Sequence, residues 1–366
     1  MLGLGTSLGC QPPPAQEPVV FTRTAFIAYD SDDSSAVLND PAHPFHSFEA
    51  ALAALVADSP GQPVRVLVQQ DIGAVLAGDA LEDALLWGLT LGSDDGRTLR
   101  TLSGDHFFGY HADAQLTLQH VALHSLTKNA HQSISVESAG TITGIAASIG
   151  NLVLDAAPAP YPASNGTDGP DVQGVAGETP GVSGENAVSY ATQGGSGPDG
   201  YAAWDVRLKG SLSVDTIHAT GSDAEAGGNG GNGGRATGGS GYAGGPAIDF
   251  TGTGSVLGGQ AGGNGGSAFT MGGDGGQGGN GGRGGTVYAQ RSVTLGSTDL
   301  AGGAGAPGGS GGSAGTAIPG SGAPGGSGAN GGDDGASGSD GTATSTPGVS
   351  GGDGTPGADG SVQVVA

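Results

Sequence analysis

The sequence predicts an all-β fold, a β-solenoid of stacked strand turns with glycine-rich segments inserted between its C-terminal turns. The first observation is that 80 of the 366 residues are glycine, about three times the usual fraction. The second is that only 14 of these glycines fall in residues 1–155, whereas 66 fall in residues 156–366. The third is a short strand unit that recurs along the second region. We therefore expect an ordinary apolar core in the first region and mainly backbone hydrogen bonding in the second.

Three parts follow from this division: residues 1–22, 23–155 and 156–366. The first begins with an apolar, glycine-punctuated peptide containing Leu2, Leu4 and Leu8, and a proline-rich stretch follows it. Proline-rich chain is stiff and extended, so this part is predicted to be an anchor peptide on a tether. The opening resembles those of many bacteriophage virion proteins, in which a short terminal peptide docks onto the particle.

The second part begins with a predicted strand at 26–29 and a polar Asp/Ser loop. Ser47 is placed to cap a helix from Phe48 to about Asp58, which Pro60 and Gly61 would end. This order of strand, loop and alanine-rich helix, covering about residues 24–70, is similar to the opening of right-handed parallel β-helix proteins of the pectate-lyase type. The resemblance implies that the helix caps the first coil. It implies architecture alone, because enzymes and phage tailspikes share the fold.

Short strands with a period of two residues are then predicted at 64–68, 85–91, 115–118 and 121–123. An internal repeat follows, in which two short strands flank a turn. Its copies are Ile134–Val136 with Thr141–Thr143, Val206–Leu208 with Leu212–Val214, Ile248–Phe250 with Ser255–Leu257, Val287–Ala289 with Val293–Leu295, and a final half copy at Val362–Val365. We interpret these copies as successive turns of one solenoid.

Most of the glycine lies between the copies, in excursions at about 156–202, 219–245, 258–285 and 302–360. Repeated Gly-Gly-X triplets match an extended helix of three residues per turn, whose glycine faces allow close packing in the manner of polyglycine II. The alternative is a set of flexible linkers. In the ordered arrangement every third side chain lies at the solvent-exposed rim, at Asn229, Asn232, Asp274, Gln277 and Asn280.

Composition excludes several functions. The formal charge is −24, with only ten Lys and Arg residues, so binding to nucleic acid is not expected. No apolar run is long enough for a membrane span. The single cysteine, Cys10, excludes an internal disulfide framework. It follows Ser7-Leu8-Gly9, which loosely resembles a lipobox, and the other interpretation is an ordinary N-terminal peptide.

Candidate catalytic chemistry is sparse. Acidic clusters occur at Asp30–Asp33 and Asp94–Asp95, in turn-like contexts that favour solvated corners. His120 and His124 would share a face on one strand, as a metal pair would require. Such histidines are more often ordinary surface or stacked side chains. We therefore predict a protein that is not an enzyme and has no catalytic, cofactor or metal site.

The predicted function is that of a structural virion appendage, since the combination resembles phage fibres and adhesins with polyglycine II tips. This resemblance implies a location on the virion surface, contacts with other virion proteins through the N-terminus, and a host-surface glycan or protein as receptor. Tyr201 and Tyr242 are the candidate receptor contacts. A homo-oligomer, such as a trimer, is expected by the same resemblance. The alternatives are a secreted or envelope-anchored bacterial surface protein and a polysaccharide-degrading β-helix enzyme.

Overall fold

The computed structural model describes residues 23–76, 80–108, 113–128, 138–159, 161–248, 257–330 and 332–366. Within them are two helices, α1 (Phe48–Asp58) and α2 (Leu81–Trp87). The strands in the same residues are β1 (Thr24–Ile27), β2 (Val64–Val68), β3 (Leu89–Ser93), β4 (Arg100–Phe108), β5 (Gln115–Gln119), β6 (Val121–Lys128), β7 (Ser138–Val153), β8 (Val172–Gln173), β9 (Ala187–Tyr190), β10 (Asp205–His218), β11 (Ala236–Thr237), β12 (Ala268–Met271), β13 (Thr286–Gln290), β14 (Thr294–Asp299), β15 (Ala317–Ile318), β16 (Ala343–Thr346) and β17 (Ser361–Val365). The protein is thus all-β.

The largest sheet has eleven strands, and every pair of neighbours in it is parallel. Its main path runs β1-β2-β3-β5-β7-β10-β13-β17. A second column is formed by β4, β6, the second half of β7, the second half of β10, and β14. The long strands β7 and β10 therefore belong to both columns, and each passage of the chain lies on the one before it.

Apolar side chains stack in register along each column. In the first, Leu116, Ile142, Leu208 and Ala289 pair in succession, and each is at most 3% exposed. The next member, Val364, is 68% exposed because no further strand covers it. In the second column the stack is Leu102, Leu123, Ile149, Val214 and Leu295. These two stacks form the centre of the hydrophobic core.

Helix α1 covers the N-terminal end of this core, as predicted. The Ser47 hydroxyl accepts a hydrogen bond from the Ala50 backbone N–H at 3.2 Å, which caps the helix, and the helix ends just before Pro60-Gly61. Phe48, Leu52 and Leu55 are buried on one face. The end of the core next to β1 is therefore sealed, whereas the end next to β17 is open.

The predicted strand at 85–91 is correct from Leu89 onward and wrong before it. Residues Leu81–Trp87 form α2, and the strand β3 begins at Leu89. The buried residues Leu81, Ala84 and Leu85 follow helical spacing, which the prediction overlooked because it began at Leu85. Gly88, with φ of 103°, separates the two elements. The predicted strands at 64–68, 115–118 and 121–123 coincide with β2, β5 and β6.

The repeat is confirmed for three copies and corrected for two. Val206 pairs with Val287, and Val287 with Val362, as the repeat requires. However, Arg207–Lys209 pairs with Thr141–Thr143, so the first copy is displaced by one strand. The copy at 248–257 is not a turn between β10 and β13, because these strands pair directly. Residues 249–256 and 134–136 lie outside the described residues.

Candidate functional site

The described glycine-rich chain forms six extended segments, which we number 1 to 6. They are 161–178, 182–203, 219–247, 257–285, 300–329 and 332–360. Segments 1, 3 and 5 run parallel to one another and form one row, and segments 2, 4 and 6 form a second row. Bonds such as Gly230 N–H to Ser310 O at 2.8 Å join segments within a row. Bonds such as Gly276 N–H to Gly228 O at 2.8 Å join the antiparallel rows.

The segments therefore form three antiparallel pairs, 1 with 2, 3 with 4, and 5 with 6. The four excursions expected from the sequence become three, because 219–245 and 258–285 are the two halves of one pair. Two small parallel sheets, β8-β11-β15 and β9-β12-β16, lie halfway along the segments. Ala187, Ala236 and Ala268 are buried between them and provide the only apolar cluster found in the described part of this region.

Every backbone donor of the triplet Gly230-Gly231-Asn232 has a partner. Gly230 donates to Ser310 O, Gly231 donates to Thr192 O at 3.0 Å, and the Asn232 backbone N–H donates to Asp168 Oδ1 at 2.7 Å. Each donor points in a different direction, since the extended helix completes one third of a full turn at each residue. The arrangement satisfies the backbone without an apolar core.

The third side chain of a triplet is an acceptor for the next segment of its row. Asn232 Oδ1 accepts from both the backbone N–H and the hydroxyl of Ser313, at 3.0 and 2.7 Å. We call these chains of side-chain acceptors rim ladders. Other rim ladders are Asn165–Asn229–Ser310 and Asp199–Asn280–Thr355, and Asp274 accepts from Val349 N–H.

The predicted rim positions are Asn229, Asn232, Asp274, Gln277 and Asn280. All are exposed except Asp274, which is half-buried. Sequence reasoning missed that four of them accept backbone hydrogen bonds. The signal was the repeated choice of Asn or Asp, whose carbonyl or carboxylate group lies one carbon beyond Cβ.

The two predicted receptor tyrosines are far apart. Tyr201 lies where its carbonyl accepts from Ser222, near the sheet, and Tyr242 lies where its N–H donates to Val182. The twenty residues from Ser222 to Tyr242 span about 60 Å at roughly 3.1 Å per residue. The structure does not bring these tyrosines into one site. The anchor candidates Leu2, Leu4 and Leu8, together with Cys10, lie outside the described residues.

The carboxylates of the acidic clusters accept hydrogen bonds from their own turns or from the start of α1. Asp33 Oδ1 accepts from His46 N–H at 2.6 Å, and Asp33 Oδ2 accepts from the Ser47 hydroxyl at 2.8 Å. Hydrogen bonds from the Ser34 side chain and backbone lower the pKa of Asp32, and those from Thr98 lower the pKa of Asp95 most strongly. Carboxyl groups held in the ionised form are poor proton donors at neutral pH.

The structure does not place His120 and His124 on one strand. His120 occupies the corner between β5 and β6 with φ of 53°, whereas His124 lies within β6, so they do not share one strand face as expected. Among the described residues no three His, Cys, Asp or Glu side chains are grouped to hold a metal ion. Nor does any described helix combine the length and apolarity that crossing a membrane requires.

His106 is buried and neutral. The Leu76 backbone N–H donates to Nδ1 at 3.0 Å, and Nε2–H donates to Leu102 O at 3.2 Å. Burial lowers the pKa of His106, and neighbouring His124 reinforces this effect, while the bond to Leu102 and the charge of Asp105 oppose it.

We predict that His106 makes folding sensitive to acid. Its folded pKa lies below the ordinary value of about 6.5, so the unfolded chain binds the proton more readily. The contribution of neutral His106 to the free energy of unfolding is fully present above that ordinary pKa. It is lost as the pH falls toward the folded pKa. The free energy of unfolding at pH 8 and pH 5.5 checks this, together with an NMR titration of His106. An imidazole that titrates at or above the ordinary value would contradict it.

A polar cleft on the outward face of the large sheet is the best-formed candidate site. It has a volume of about 600 Å³. Strand pairing places Gln115, Thr141 and Arg207 in one row across β5, β7 and β10. The next row is Thr117, Thr143 and Lys209. Because strand side chains alternate, the residues between these rows point inward into the core.

The cations of the cleft are exposed. Arg207 lies over the Tyr288 ring, with Cζ 5.7 Å from the ring centroid. Gln290 borders the cleft and accepts from Gly210 N–H at 3.0 Å. Asp113 is the only carboxylate among the described lining residues. The cleft thus offers two cations together with hydroxyl and amide groups, a combination suited to binding.

Comparison with known proteins gives no match: no protein-family profile, curated protein or solved structure is similar to this chain. The proposals that follow therefore depend on the geometry described above.

Proposed function

We propose that the chain is a non-enzymatic structural appendage of a bacteriophage particle, a fibre or adhesin subunit involved in attachment to the host surface. Its shaft is a right-handed parallel β-helix capped by α1, and its glycine-rich segments form a polyglycine II lattice. The register of the two strand columns supports the β-helix. The complete donor accounting of the triplet Gly230-Gly231-Asn232 supports the lattice and carries the proposal.

A rigid appendage is what this lattice provides. Segments 3 and 4 each contact four neighbouring segments through backbone bonds. At roughly 3.1 Å per residue, each extends about 90 Å without a large apolar core. Exposed rim positions such as Gln277, for which no ladder bond is described, can vary, so receptor contacts can change there without disturbing the scaffold. The N-terminal peptide is the proposed attachment to other virion proteins.

Amide hydrogen exchange of the full chain tests the lattice. Glycine amides in residues 219–247 and 257–285 are expected to exchange slowly, at rates close to those of β7 and β10. Exchange as fast as that of an unstructured peptide would overturn the rigid appendage.

Localisation tests the particle assignment. The protein is expected in purified virions, and replacing Leu2, Leu4 and Leu8 together by serine is expected to release an otherwise folded protein. A Cys10→Ser variant is the control, because a virion protein attached through its leucines stays attached. Recovery of the protein from bacterial envelopes alone would reject the virion assignment.

A bacterial envelope protein is the second candidate, favoured by the Ser7-Leu8-Gly9-Cys10 sequence before a proline-rich tether. It requires a lipid on Cys10, which the mass of the N-terminal peptide would reveal. If the protein is anchored by this lipid, Cys10→Ser is expected to release it from the envelope. The leucine substitutions are then a separate test.

A further inference from the structure

We propose that the polar cleft between β5 and β13 binds an anionic polysaccharide through Arg207 and Lys209. This inference rests on the proposed attachment function and names the ligand class for it. It moves the receptor site from Tyr201 and Tyr242 to the sheet.

Charge is the first argument. The protein carries −24 overall, and Lys209 is one of only two lysines. Within the described residues neither Arg207 nor Lys209 makes an ion pair. Charges beyond about 8 Å are screened at physiological salt, so a bound anion responds mainly to the charges that line the cleft, which are these two cations and the single carboxylate Asp113.

Shape is the second argument. The cleft crosses β5, β7, β10 and β13, and strands about 4.8 Å apart give it a length of roughly 14 Å. A second hollow of about 250 Å³, lined by Tyr288 and Val365 beside the same two cations, extends it toward β17. An open track across strands suits a polymer better than a small ion.

Chemical complementarity is the third argument. Thr117, Thr141, Thr143 and Gln115 present hydroxyl and amide groups along the cleft, which match sugar hydroxyls. The contact with Tyr288 orients the Arg207 guanidinium, which then presents paired donors to a carboxylate or sulfate.

Binding of dextran sulfate, alginate and neutral dextran to the full chain tests the proposal. Dextran sulfate or alginate is expected to bind, and neutral dextran is not. Arg207→Ala and Lys209→Ala are each expected to weaken binding about tenfold, the equivalent of one charge-assisted contact. Arg97→Ala is the matched control, because Arg97 is exposed on a turn outside the cleft, and it is expected to leave binding unchanged.

Binding that survives in a variant carrying both Arg207→Ala and Lys209→Ala would overturn the proposal. Binding of neutral dextran as tightly as the polyanions would also overturn it, and so would a failure to bind both dextran sulfate and alginate. Slow exchange in the lattice and presence in virions would still support the appendage, so the two failures are distinguishable.

A second inference comes from the outermost glycine segments. In the interior, Gly221, Gly227, Gly241 and Ala247 of segment 3 donate to carbonyls of segment 5. The equivalent donors on segment 5 lie 81 residues later in the sequence. This is the separation between the residues that the rim ladders join across segments 3 and 5, such as Asn229 and Ser310. These donors instead bond to aspartate carboxylates: Gly302 to Asp359, Gly308 to Asp353, Gly322 to Asp340 and Gly328 to Asp334, at 2.8–3.0 Å.

Proline removes further donors from the same outer layer. Gly272 and Gly281 of segment 4 donate to segment 6, and the equivalent positions 75 residues later are Pro347 and Pro356. Gly238 donates to Ile318, and its equivalent in segment 5 is Pro319. Proline has no backbone N–H, so nothing at these positions can bond to an additional segment.

We infer that the four aspartate caps and three prolines of segments 5 and 6 disfavour extension of the lattice by a second copy of the chain. Unpaired backbone donors at an edge invite another chain, and capped or missing donors do not. The donors of Gly305, Gly311 and Gly325 lie between the caps, so the capped positions interrupt the edge rather than remove it.

The test replaces all four capping aspartates by alanine and the three prolines by glycine, and measures mass by light scattering at rising concentration. The variant is expected to associate, whereas the wild type and a matched Asp→Asn variant, which keeps the acceptor oxygens, do not associate through this layer. A combined variant that folds and has the wild-type mass would overturn the inference. If that variant does not fold, exchange of the wild-type amides in segments 5 and 6 decides. Exchange rates that do not depend on protein concentration support the inference, and protection that increases with protein concentration overturns it.

Discussion

Gly276→Ala is expected to dismantle the centre of the glycine lattice. A Cβ at this position would lie 1.9 Å from Gly195 O and 2.5 Å from Gly195 C, both backbone atoms that belong to another segment. No side-chain rearrangement relieves such an overlap, so segments 2 and 4 must separate. We expect the bonds of Gly276 to Gly228 and of Gly309 to Gly276 to be lost together.

Amide exchange measured by mass spectrometry checks this result. Residues 182–203, 219–247 and 257–285 are expected to lose protection by orders of magnitude, whereas β2, β3 and β5 keep theirs. Gly258→Ala is the matched control, because a Cβ there would meet its nearest neighbour, Asp333 O, at an ordinary 3.5 Å. Unchanged exchange in the Gly276→Ala protein would contradict the packing of the lattice.

Leu118→Ala is expected to destabilise the sheet by about 2–5 kcal/mol, the range for truncating a fully buried leucine. Leu118 is completely buried and pairs with Leu91 and Gly144 in the neighbouring strands. Gly144 brings no side chain to this level, which limits how far the cavity can be filled from that side.

Denaturant unfolding, followed by tryptophan fluorescence, measures this change. Thr117→Ala is the control, since the adjacent Thr117 side chain lies on the outward face, and it is expected to cost less than about 1 kcal/mol. Equal costs for the two variants would show that Leu118 does not lie in the core.

Local signals in the sequence were sufficient for the first part of the fold. Ser47 and Pro60-Gly61 bracket α1 correctly because capping and helix termination depend on a few neighbouring residues. The helix α2 was missed because its apolar spacing merges into the strand that follows Gly88. The helical spacing of Leu81, Ala84 and Leu85 would have revealed it, had the prediction begun before Leu85.

Register could not be predicted to the same extent. The repeat aligned Val206–Leu208 with 287–289 residue for residue, yet it placed the copy at 248–250 between them and paired the first copy one strand out of step. A period of two allows more than one match between short alternating strands, and only the stacking of Ile142 on Leu208 selects one.

The cleft and the rim ladders were missed for a different reason. Thr143, Lys209 and Gln290 are separated by many tens of residues and meet only because successive passages of the chain stack. Asn232 was correctly expected at the rim, but its acceptor role depends on Ser313, 81 residues later. Such distances carry no signal in a window of neighbouring residues.

The three donor directions of a triplet also govern how the glycine-rich segments can change length. Inserting one or two residues in a segment rotates every later residue to a wrong direction, whereas three residues restore the phase and add about 9 Å. An interior pair must lengthen together with its neighbours, but the outermost pair has a neighbour on one side only. Natural variation in arm length is therefore expected in steps of three residues, beginning at the outermost pair.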